Sequence, residues 1–478
     1  MTLEDLFGRN LGDGGSQTVA GLTADSRKVK PGFVFAALRG AVVDGQDYIP
    51  QALDAGAIAV ITDRETETRS AALILDREPR LALAHAAAAF YPIQPEFMVG
   101  VTGTNGKSST VDFLRQIWSQ AGIRAASMGT LGAVGPNGAM DLGHTTPDPV
   151  AIHETLQALA RENVTHCAME ASSHGLDQYR LDGVRLSAVA FTNLTQDHLD
   201  YHPTMEAYRA AKLRLFSVLA PKGAPAIVNA DSPERGAFES AAEAAGLTLF
   251  SVGWRGADLK IAELMPKATG QTLFLRYMGA EQTVELPLIG EFQALNALTA
   301  AGLALALGTS IADVVSGLET LKTVKGRLEF VGETVNGAGV FVDYAHTPDG
   351  LDVLLRAARP HTAGRLVVVF GCGGDRDRGK RPLMGAIAAK QADIAIVTDD
   401  NPRSEDPAAI RQSVLNGASG ALEIGDRGEA IAQAVAMLRE GDTLLIAGKG
   451  HETGQTIGDR TIPFSDQAAA LAALEARA

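Results

Sequence analysis

The segment that most constrains the fold begins at residue 97, where an apolar run, a glycine-rich loop and a helical stretch follow one another. The apolar run Phe97–Val101 predicts a buried strand, and the helix is expected from about residue 107 to Gly122, which ends it. The loop between them reads TGTNGKSS over residues 102–109. Glycines allow backbone N–H groups to close around phosphate oxygens, and the helix N-terminus adds a positive dipole. This order predicts a nucleotide-binding α/β domain with a parallel sheet.

The loop also predicts which atoms meet the nucleotide. Lys107 is expected to reach the β- and γ-phosphates, and the Ser108 hydroxyl suits Mg²⁺. Val101 stands where the general GxxxxGK[ST] pattern has glycine. An ordinary tight turn before a helix is the alternative interpretation. The predicted ATP-binding residues of the loop are Gly103, Thr104, Asn105, Gly106, Lys107, Ser108 and Ser109.

Length and the distribution of apolar runs predict three α/β domains. The chain has 478 residues, which is too long for one ordinary core. We predict a small N-terminal domain over residues 1–92, a central parallel-sheet ATPase domain over 93–325 and a C-terminal Rossmann-like domain over 326–478. The other runs that predict strands are FVFAAL (33–38), AIAVIT (57–62), VTHCAM (164–169), LSAVAF (186–191), PAIVN (225–229), GVFVDY (339–344), RLVVVF (365–370), DIAIVT (393–398) and TLLIAG (443–448).

Charge and cysteine usage exclude several classes of protein. The formal net charge is −14, and no basic stripe is present that could neutralise the phosphates of a nucleic acid. No apolar run approaches the roughly 18–20 residues needed to span a membrane, and the N-terminus lacks the pattern of a signal peptide. Cys167 and Cys372 are far apart in the sequence and form a poor disulfide framework. We therefore expect a cytoplasmic monomer with small-molecule substrates, no nucleic-acid partner and no transmembrane segment.

Further motifs extend the interpretation over nearly the whole chain. The phosphate loop is followed by HTTP at residues 144–147, MEASSHGL at 169–176, NLTQDHLDYH at 193–202, DYAHTP at 343–348 and GKGHE at 448–452. Together these motifs resemble those of the Mur ligase family, and most of all those of the members that add the third residue of the peptidoglycan stem peptide. The resemblance implies an ATP- and Mg²⁺-dependent enzyme that forms an amide bond.

A magnesium site is predicted beside the phosphate loop. Glu170 follows an apolar strand, where α/β sheets bind ligands, and His198 lies beyond the next strand. Taken alone, Glu170 is better explained as a helix-capping residue and His198 as a hydrogen-bonded one, and Lys212 as an ordinary lysine of an amphipathic helix over residues 204–219. The resemblance implies that Lys212 is carbamylated to N6-carboxylysine. It assigns the metal to Ser108, Glu170, His198 and Lys212, and catalysis to Lys107, Glu170, His198 and Lys212.

Two further ligand sets follow from the resemblance. The segment 290–296 resembles the family pattern GxFNxxN, with Gln293 in place of the first Asn. A guanidinium such as that of Arg180 can bind a phosphate or carboxylate with two parallel hydrogen bonds. A loop or turn role is the alternative for several of these residues. The additional ATP contacts are Asn296, Arg327, Asp343 and His346, and the UDP-precursor contacts are Ser26, Thr145, Thr146, Ser172, Gln178 and Arg180.

The segment Asp399–Arg403 matches the DNPR motif of members that add meso-diaminopimelate. Diaminopimelate differs from lysine by a carboxylate on the distal carbon, which an arginine can bind while an acid meets the ammonium beside it. A surface turn followed by a salt-bridged arginine is the alternative. The predicted diaminopimelate-binding residues are Arg376, Asp400, Asn401, Pro402, Arg403, Gly448 and Glu452.

The resemblance thus implies a ligase that adds meso-2,6-diaminopimelate to UDP-N-acetylmuramoyl-L-alanyl-D-glutamate in peptidoglycan biosynthesis, through an acyl phosphate and with release of ADP and phosphate. A lysine-adding ligase and a folylpolyglutamate synthetase-like ligase are the alternatives within the class, and the N-terminal domain and Arg403 count against both. A P-loop ATPase acting as a switch is the alternative from another class. Such a protein would not need the DNPR and GKGHE motifs.

Overall fold

The computed structural model describes residues 1–40, 43–198 and 201–477, which divide into two compact units. The first comprises residues 1–257 and 299–313, and the second comprises 258–298 and 314–478. Throughout the described ranges, no helix combines the length and the apolar character that crossing a membrane requires.

The first unit begins with a four-stranded parallel sheet in the order β1-β2-β3-β4. The predicted strands at 33–38 and 57–62 are its two central strands. Their buried side chains pack against the alanine-rich helix Pro79–Phe90. The elements are α1 (Leu3–Phe7), β1 (Gly21–Thr23), β2 (Phe33–Ala36), α2 (Ile49–Asp54), β3 (Ala59–Thr62), β4 (Ala72–Leu75) and α3 (Pro79–Phe90).

A larger sheet of the first unit contains the predicted phosphate loop. Its strands follow the order β12-β11-β10-β5-β9-β6-β7-β8; those from β12 to β6 are parallel, and β7 and β8 add antiparallel pairs. The elements are β5 (Phe97–Thr102), α4 (Lys107–Gln120), β6 (Ala125–Gly129), β7 (Gly132–Gly135), β8 (Gly138–Met140), α5 (Pro149–Arg161), β9 (His166–Glu170), α6 (Ser173–Asp177), β10 (Ala188–Phe191), α7 (Met205–Arg214), β11 (Pro225–Asn229), α8 (Arg235–Ala244) and β12 (Thr248–Gly253).

The helix that carries Lys212 is shorter than the sequence predicts. Thr204 caps it as expected, because its side chain accepts a hydrogen bond from the Ala207 N–H. The α-helix ends at Arg214, however, and a π-helical turn follows over Leu215–Leu219. The wider turn allows the consecutive side chains of Leu215 and Phe216 to be fully buried. The prediction of one regular helix over residues 204–219 is therefore wrong after Arg214.

The second unit contains a six-stranded sheet in the order β16-β17-β21-β18-β19-β20, parallel except for the β16–β17 pair. The elements in or entering this unit are β13 (Leu259–Lys267), β14 (Gly270–Tyr277), β15 (Ala280–Leu286), α9 (Glu291–Ala306), α10 (Ile311–Leu318), β16 (Glu329–Glu333), β17 (Gly339–Asp343), α11 (Pro348–Ala358), β18 (Leu366–Phe370), α12 (Lys380–Gln391), β19 (Ile394–Val397), α13 (Pro407–Leu415), β20 (Leu422–Glu423), α14 (Arg427–Met437), β21 (Thr443–Ala447), β22 (Gly454–Ile457), β23 (Arg460–Pro463) and α15 (Asp466–Glu475).

Every apolar run that predicted a strand forms one, but other strands are absent from the prediction. They are the parallel strands β1, β4, β6, β12 and β20 and the antiparallel strands β7, β8, β13, β14, β15, β16, β22 and β23. Strands β13, β14 and β15 form an antiparallel meander, and β22 pairs with β23 in a hairpin. Buried and exposed residues are interspersed along β13, and all four residues of β23 are exposed. Continuous apolar runs identify strands that are covered on both faces, so strands with one solvated face escape that criterion.

The aromatic pair Phe191–Phe238 provides a test of the core of the larger sheet. The two rings stack with centroids 3.6 Å apart, and Phe238 is fully buried. We expect Phe238→Ala to lower the free energy of unfolding by about 3–5 kcal/mol, because it removes a large buried side chain. Urea denaturation measures this change. Val218→Ala, at a 59% exposed site of the same unit, should change the value by less than about 0.5 kcal/mol. Equal losses in the two variants would contradict this packing.

Candidate active site

The phosphate loop requires glycine at two of its positions. Gly103 has φ 153°, and a Cβ atom there would lie 1.9 Å from Oγ1 of Thr192. Gly106, with φ 84°, stands in the left-handed region immediately before α4. A residue with a side chain would be strained at either position. The backbone geometry therefore supports the predicted loop at this strand–helix junction.

Residues after strand β10 form hydrogen bonds with the phosphate loop. The Thr104 N–H donates to the Asn193 carbonyl at 2.8 Å, and the Asn105 N–H donates to Asn193 Oδ1 at 3.0 Å. In return, Asn193 Nδ2 and Thr192 Oγ1 donate to the Asn105 carbonyl at 3.1 and 2.6 Å. The loop conformation is thus set by neighbouring backbone and side chains.

Two lysines converge on the Gly103 carbonyl. Lys107 Nζ donates to it at 3.0 Å and to the Thr104 carbonyl at 2.8 Å, while Lys212 Nζ donates to it at 2.6 Å. Lys212 is only 1% exposed, and its Nζ lies 4.5 Å from the centre of the Tyr208 ring. Burial, reinforced by the nearby charge of Lys107, lowers the pKa of Lys212 to about 6. At neutral pH the Lys212 amine is therefore mostly uncharged.

Glu170 lies against the first turn of α4. Its Oε1 accepts hydrogen bonds from Ser108 Oγ at 2.8 Å and from the Thr130 N–H at 2.7 Å, and the residue is 2% exposed. A carboxylate beside a hydroxyl offers the hard oxygen ligands that Mg²⁺ prefers, so these two residues fit the predicted metal. Ser109, the next residue of the turn, is buried.

His198 has other neighbours in the structure. Its Nε2 lies 3.5 Å from Asp197 Oδ2, and its ring centroid is 6.1 Å from that of Tyr208. No hydrogen bond or ion pair joins it to Glu170 or Lys212 in the part of the chain that the structure describes, and Leu199 and Asp200 of the same motif lie outside that part. No group of three His, Cys, Asp or Glu side chains within the described ranges could hold a metal. The metal role of His198 stays a prediction.

Five of the predicted precursor-binding residues lie beside Glu170. Thr145 Oγ1 lies 3.0 Å from Thr130 Oγ1, and Thr146 Oγ1 donates to the Glu170 carbonyl at 2.9 Å. The Ser172 N–H donates to Thr146 Oγ1 at 3.2 Å. The remaining two, Arg180 and Gln178, are joined to each other at 2.8 Å, and Arg180 also donates to the Thr146 carbonyl at 2.6 Å. Hydrogen bonds thus connect these residues to one another and to Glu170 and Thr130, and we call the surface that they form the precursor wall.

Arg180 lacks a carboxylate partner across the described ranges, and a second guanidinium, that of Arg80, lies near it. Burial and the like charge of Arg80 lower the pKa of Arg180. The carboxylate of Asp148 acts in the opposite direction on this pKa but forms no ion pair with Arg180 in the described ranges, so the half-buried guanidinium suits an anionic ligand. The sixth predicted residue, Ser26, has a different neighbour, since its exposed Oγ donates to Gln51 Oε1 at 3.1 Å.

The predicted ATP contacts of the second unit form a cluster of their own. Asn296 Nδ2 donates to Gln293 Oε1 at 3.3 Å, and Gln293 Nε2 donates to the Arg327 carbonyl at 3.2 Å. The Arg327 guanidinium lies 5.0 Å from the centre of the Tyr344 ring, and His346 Nδ1 is 2.8 Å from the Tyr344 carbonyl. Gln293, which replaces the family's Asn, is therefore a buried support for Asn296 and for the Arg327 loop.

Asp343 anchors the same cluster at the end of β17. Its two carboxylate oxygens accept hydrogen bonds from the N–H groups of Leu328 and Ala345, each at 2.7 Å. Burial raises the pKa of Asp343. One bond fixes the backbone beside Arg327, and the other fixes the loop that carries His346, so Asp343 has a structural role.

The predicted diaminopimelate site lies at the carboxyl ends of β18, β19 and β21. The Gly374 N–H donates to the Asn401 carbonyl at 2.9 Å, and Asn401 Nδ2 donates to Glu452 Oε2 at 2.9 Å. Asp400, Asn401 and the adjoining Pro402 are buried. Gly448, with φ 119°, follows β21 and donates its N–H to the Asp343 carbonyl at 3.1 Å. The structure thus brings these motifs together at one edge of the sheet.

The arginines of this edge differ in their partners. Arg378 and Arg381 are paired with Glu405 at 3.2 and 2.8 Å. Arg403 instead donates to the Gly374 carbonyl at 2.8 Å, and Arg376 donates to the Asp375 carbonyl at 3.2 Å. Neither of the latter two forms an ion pair with any residue that the structure describes. Arg403 therefore has no salt bridge within the described ranges, whereas its ligand-binding role stays a prediction.

Several residues that support the site have no role in the sequence-based prediction: Thr130, Thr192, Asn193, Tyr208 and Gln293. Thr130 directly follows strand β6, and Glu170 is the last residue of β9, so the rule that ligands gather at strand ends could have identified Thr130. Tyr208 precedes Lys212 by four residues, the spacing that places two side chains on one helix face. Tyr208 also joins the phosphate loop, because its hydroxyl lies 3.1 Å from Thr104 Oγ1.

Known proteins resemble this chain along its whole length. The sequence profile of the Mur ligase family catalytic domain matches residues 18–92, that of the Mur ligase middle domain matches 101–304, and that of the Mur ligase glutamate ligase domain matches 326–450. These matches confirm the predicted three-domain architecture. The UDP-N-acetylmuramoyl-L-alanyl-D-glutamate–2,6-diaminopimelate ligase of Mesorhizobium japonicum is 53% identical over 485 residues, which is 100% of both chains.

Other relatives extend the comparison. The enzyme of the same name from Caulobacter vibrioides is 54% identical over 99% of this chain and 98% of its own. A solved structure of a ligase of that name has a TM-score of 0.79 at 33% identity and covers 100% of this chain and 99% of its own. A Mycobacterium tuberculosis folylpolyglutamate synthase shares the fold, with a TM-score of 0.60 at 18% identity over 77% of this chain and 92% of its own. With more than half of its residues identical to such relatives from end to end, the chain belongs to the Mur ligase family.

Proposed function

We propose that the chain is an ATP-dependent ligase that adds meso-2,6-diaminopimelate to UDP-N-acetylmuramoyl-L-alanyl-D-glutamate. The observation that carries the choice of amine is the guanidinium of Arg403, which has a carbonyl but no carboxylate as its partner among the described residues. A ligand with a carboxylate on its distal carbon supplies the missing anion. L-Lysine has no such group, and this counts against the lysine-adding alternative.

The chemistry requires activation of a carboxylate. Carboxylate oxygen is a poor leaving group, so the γ-carboxylate of the D-glutamyl unit first attacks the γ-phosphate of ATP and releases ADP. The amine of diaminopimelate then attacks the resulting acyl phosphate, and phosphate leaves as the amide forms. Catalysis of this kind consists mainly of positioning and electrostatic stabilisation. Lys107, at the mouth of the phosphate loop, neutralises charge on the transferring phosphoryl group.

Ser108, Glu170, His198 and the carbamate of Lys212 would hold Mg²⁺, which supplies a further positive charge beside the phosphates. The direct Ser108–Glu170 contact at 2.8 Å supports the first two assignments. The burial of Lys212 and its lowered pKa support the fourth, because only the uncharged amine adds CO₂ to give a carbamate and a proton.

The anionic precursor binds along the precursor wall, beside Glu170. Arg180 receives a phosphate or carboxylate of the precursor, and Thr145, Thr146, Ser172 and Gln178 line the same surface. Ser26 serves the uridine end in the N-terminal domain. Asn296, Arg327, Asp343 and His346 complete the ATP contacts. Cys167 and Cys372 are free, which agrees with the reducing environment of the cytoplasm, where we propose that the enzyme acts as a monomer.

Carbamylation of Lys212 can be tested with ¹³C-labelled bicarbonate. We expect a carbamate NMR signal in the unmodified chain and none in Lys212→Met, which should also lose most of the ligase activity. Lowering the pH through about 6 protonates the amine and should abolish the signal. Lys222→Met, which replaces an exposed lysine of the same unit, should retain it. A protein that is active but never carries the label would contradict the assignment.

The choice of amine can be tested with Arg403→Ala. We expect kcat/KM for meso-diaminopimelate to fall about 100-fold, because a charge-assisted contact with the distal carboxylate is lost. The value for L-lysine should change less than about 3-fold, since lysine makes no such contact. Amine-dependent phosphate release measures both. Arg378→Ala, at a 75% exposed side chain of the neighbouring loop, is the control and should resemble the unmodified enzyme. An equal fall for both amines would refute the role of Arg403.

A further inference from the structure

Lys449 belongs to the GKGHE motif but has no part in the functions described so far. It follows Gly448 at the carboxyl end of β21, and its side chain is 0% exposed. We propose that Lys449 is a positioning residue that sets the specificity of the enzyme for the distal ammonium of the amine substrate. The proposal rests on the function proposed above and deepens it.

The ammonium of Lys449 connects two loops of the second unit. Its Nζ donates to Asn401 Oδ1 at 3.0 Å and to Glu452 Oε2 at 3.2 Å, and it lies 3.5 Å from Asp400 Oδ1. Asn401 strengthens the connection, because its Nδ2 donates to the same oxygen of Glu452. Lys449 therefore fixes two carboxylates that come from different strand ends, one after β19 and one after β21.

The carboxylate of Asp400 has an oxygen atom that could accept a hydrogen bond from a ligand. The residue is only 8% exposed, and its Oδ1 accepts no hydrogen bond within the part of the chain that the structure describes. The distance of 3.5 Å to Lys449 is that of an ion pair without a hydrogen bond. A buried carboxylate oxygen that lacks a donor is costly, and the ammonium of a bound ligand would satisfy it.

The local charges match the distal end of diaminopimelate. Asp400 and Glu452 carry two negative charges and Lys449 one positive charge, so their cluster retains one negative charge for a ligand ammonium. Arg403 and Arg376 stand at the same sheet edge without carboxylate partners among the described residues. The distal carbon of diaminopimelate bears one ammonium and one carboxylate. Since Lys449 directs its protons to protein oxygens, it orients the acids without serving as the carboxylate clamp.

The test compares two ligands that differ only in the distal ammonium. L-2-Aminopimelate has the chain length and distal carboxylate of diaminopimelate but lacks the distal amine. In Lys449→Met we expect KM for meso-diaminopimelate to rise at least about 30-fold, because the carboxylates that receive its ammonium lose their fixed cation. The competitive inhibition constant of L-2-aminopimelate and KM for ATP should change less than about 3-fold. A purely structural role would weaken both amine-site ligands equally or lower kcat alone, and either result would overturn the proposal.

Controls separate this proposal from loss of folding and from failure of the function itself. Arg365→Gln breaks the ion pair with Asp442 near the start of β18, away from the strand ends that form the site, and should leave all three constants unchanged. If Lys449→Met does not fold, Lys449→Met/Glu452→Gln removes one cation and one anion together. Compared with Glu452→Gln alone, this double variant should show a further rise in KM for diaminopimelate. Its competitive inhibition constant for L-2-aminopimelate should be the same as that of Glu452→Gln. Equal KM values in those two variants would refute the role of Lys449, whereas an unmodified enzyme that does not use diaminopimelate would refute the proposed function instead.

Discussion

The functional residues of both units depend on one geometric constraint, which is that parallel strands all end at the same edge of their sheet. In the first unit, β5, β6, β9 and β10 deliver the phosphate loop, Thr130, Glu170 and Asn193 to that edge. In the second unit, β17, β18, β19 and β21 deliver Asp343 and the loops that carry Arg376, Arg403 and Lys449. Residues that are far apart in the sequence thus become neighbours without any long connecting loop.

The second constraint is that a buried charged side chain is costly without partners, and most of those near the sites have hydrogen-bond or ion-pair partners. Glu170 is held by a hydroxyl and a backbone N–H, and Lys449 by an amide and two carboxylates. Arg427 and Asp466, both fully buried, form a two-point ion pair beside Gly448. Groups that lack such compensation, among them Arg180 and Arg403, stand where anionic ligands are proposed to bind. For these arginines, the lack of an ion pair within the described ranges is consistent with a ligand-binding role, whereas Arg427 is neutralised within the protein.

The sequence predicts the fold class, the three domains and the parallel strands that are continuous apolar runs. It misses buried strands made of small or few residues, such as β1 and β6. It does not predict the meander β13–β15, in which polar residues interrupt the apolar ones, or the π-helical turn after Arg214, which depends on the packing of Leu215 and Phe216 in the core. Among site residues, motifs and resemblance identify those that face ligands. They do not identify Gln293 or Tyr208, whose roles arise from contacts with the loops around them.

The most direct test of the account is the release of phosphate from ATP in the presence of UDP-N-acetylmuramoyl-L-alanyl-D-glutamate, compared between meso-diaminopimelate, L-lysine and no added amine. A ligase with an anion-binding arginine in its amine site should turn over rapidly only with diaminopimelate. Equal or faster turnover with lysine would retain the ligase but contradict the assignment of Arg403. A rate of phosphate release that is the same with and without an amine would contradict the ligase mechanism.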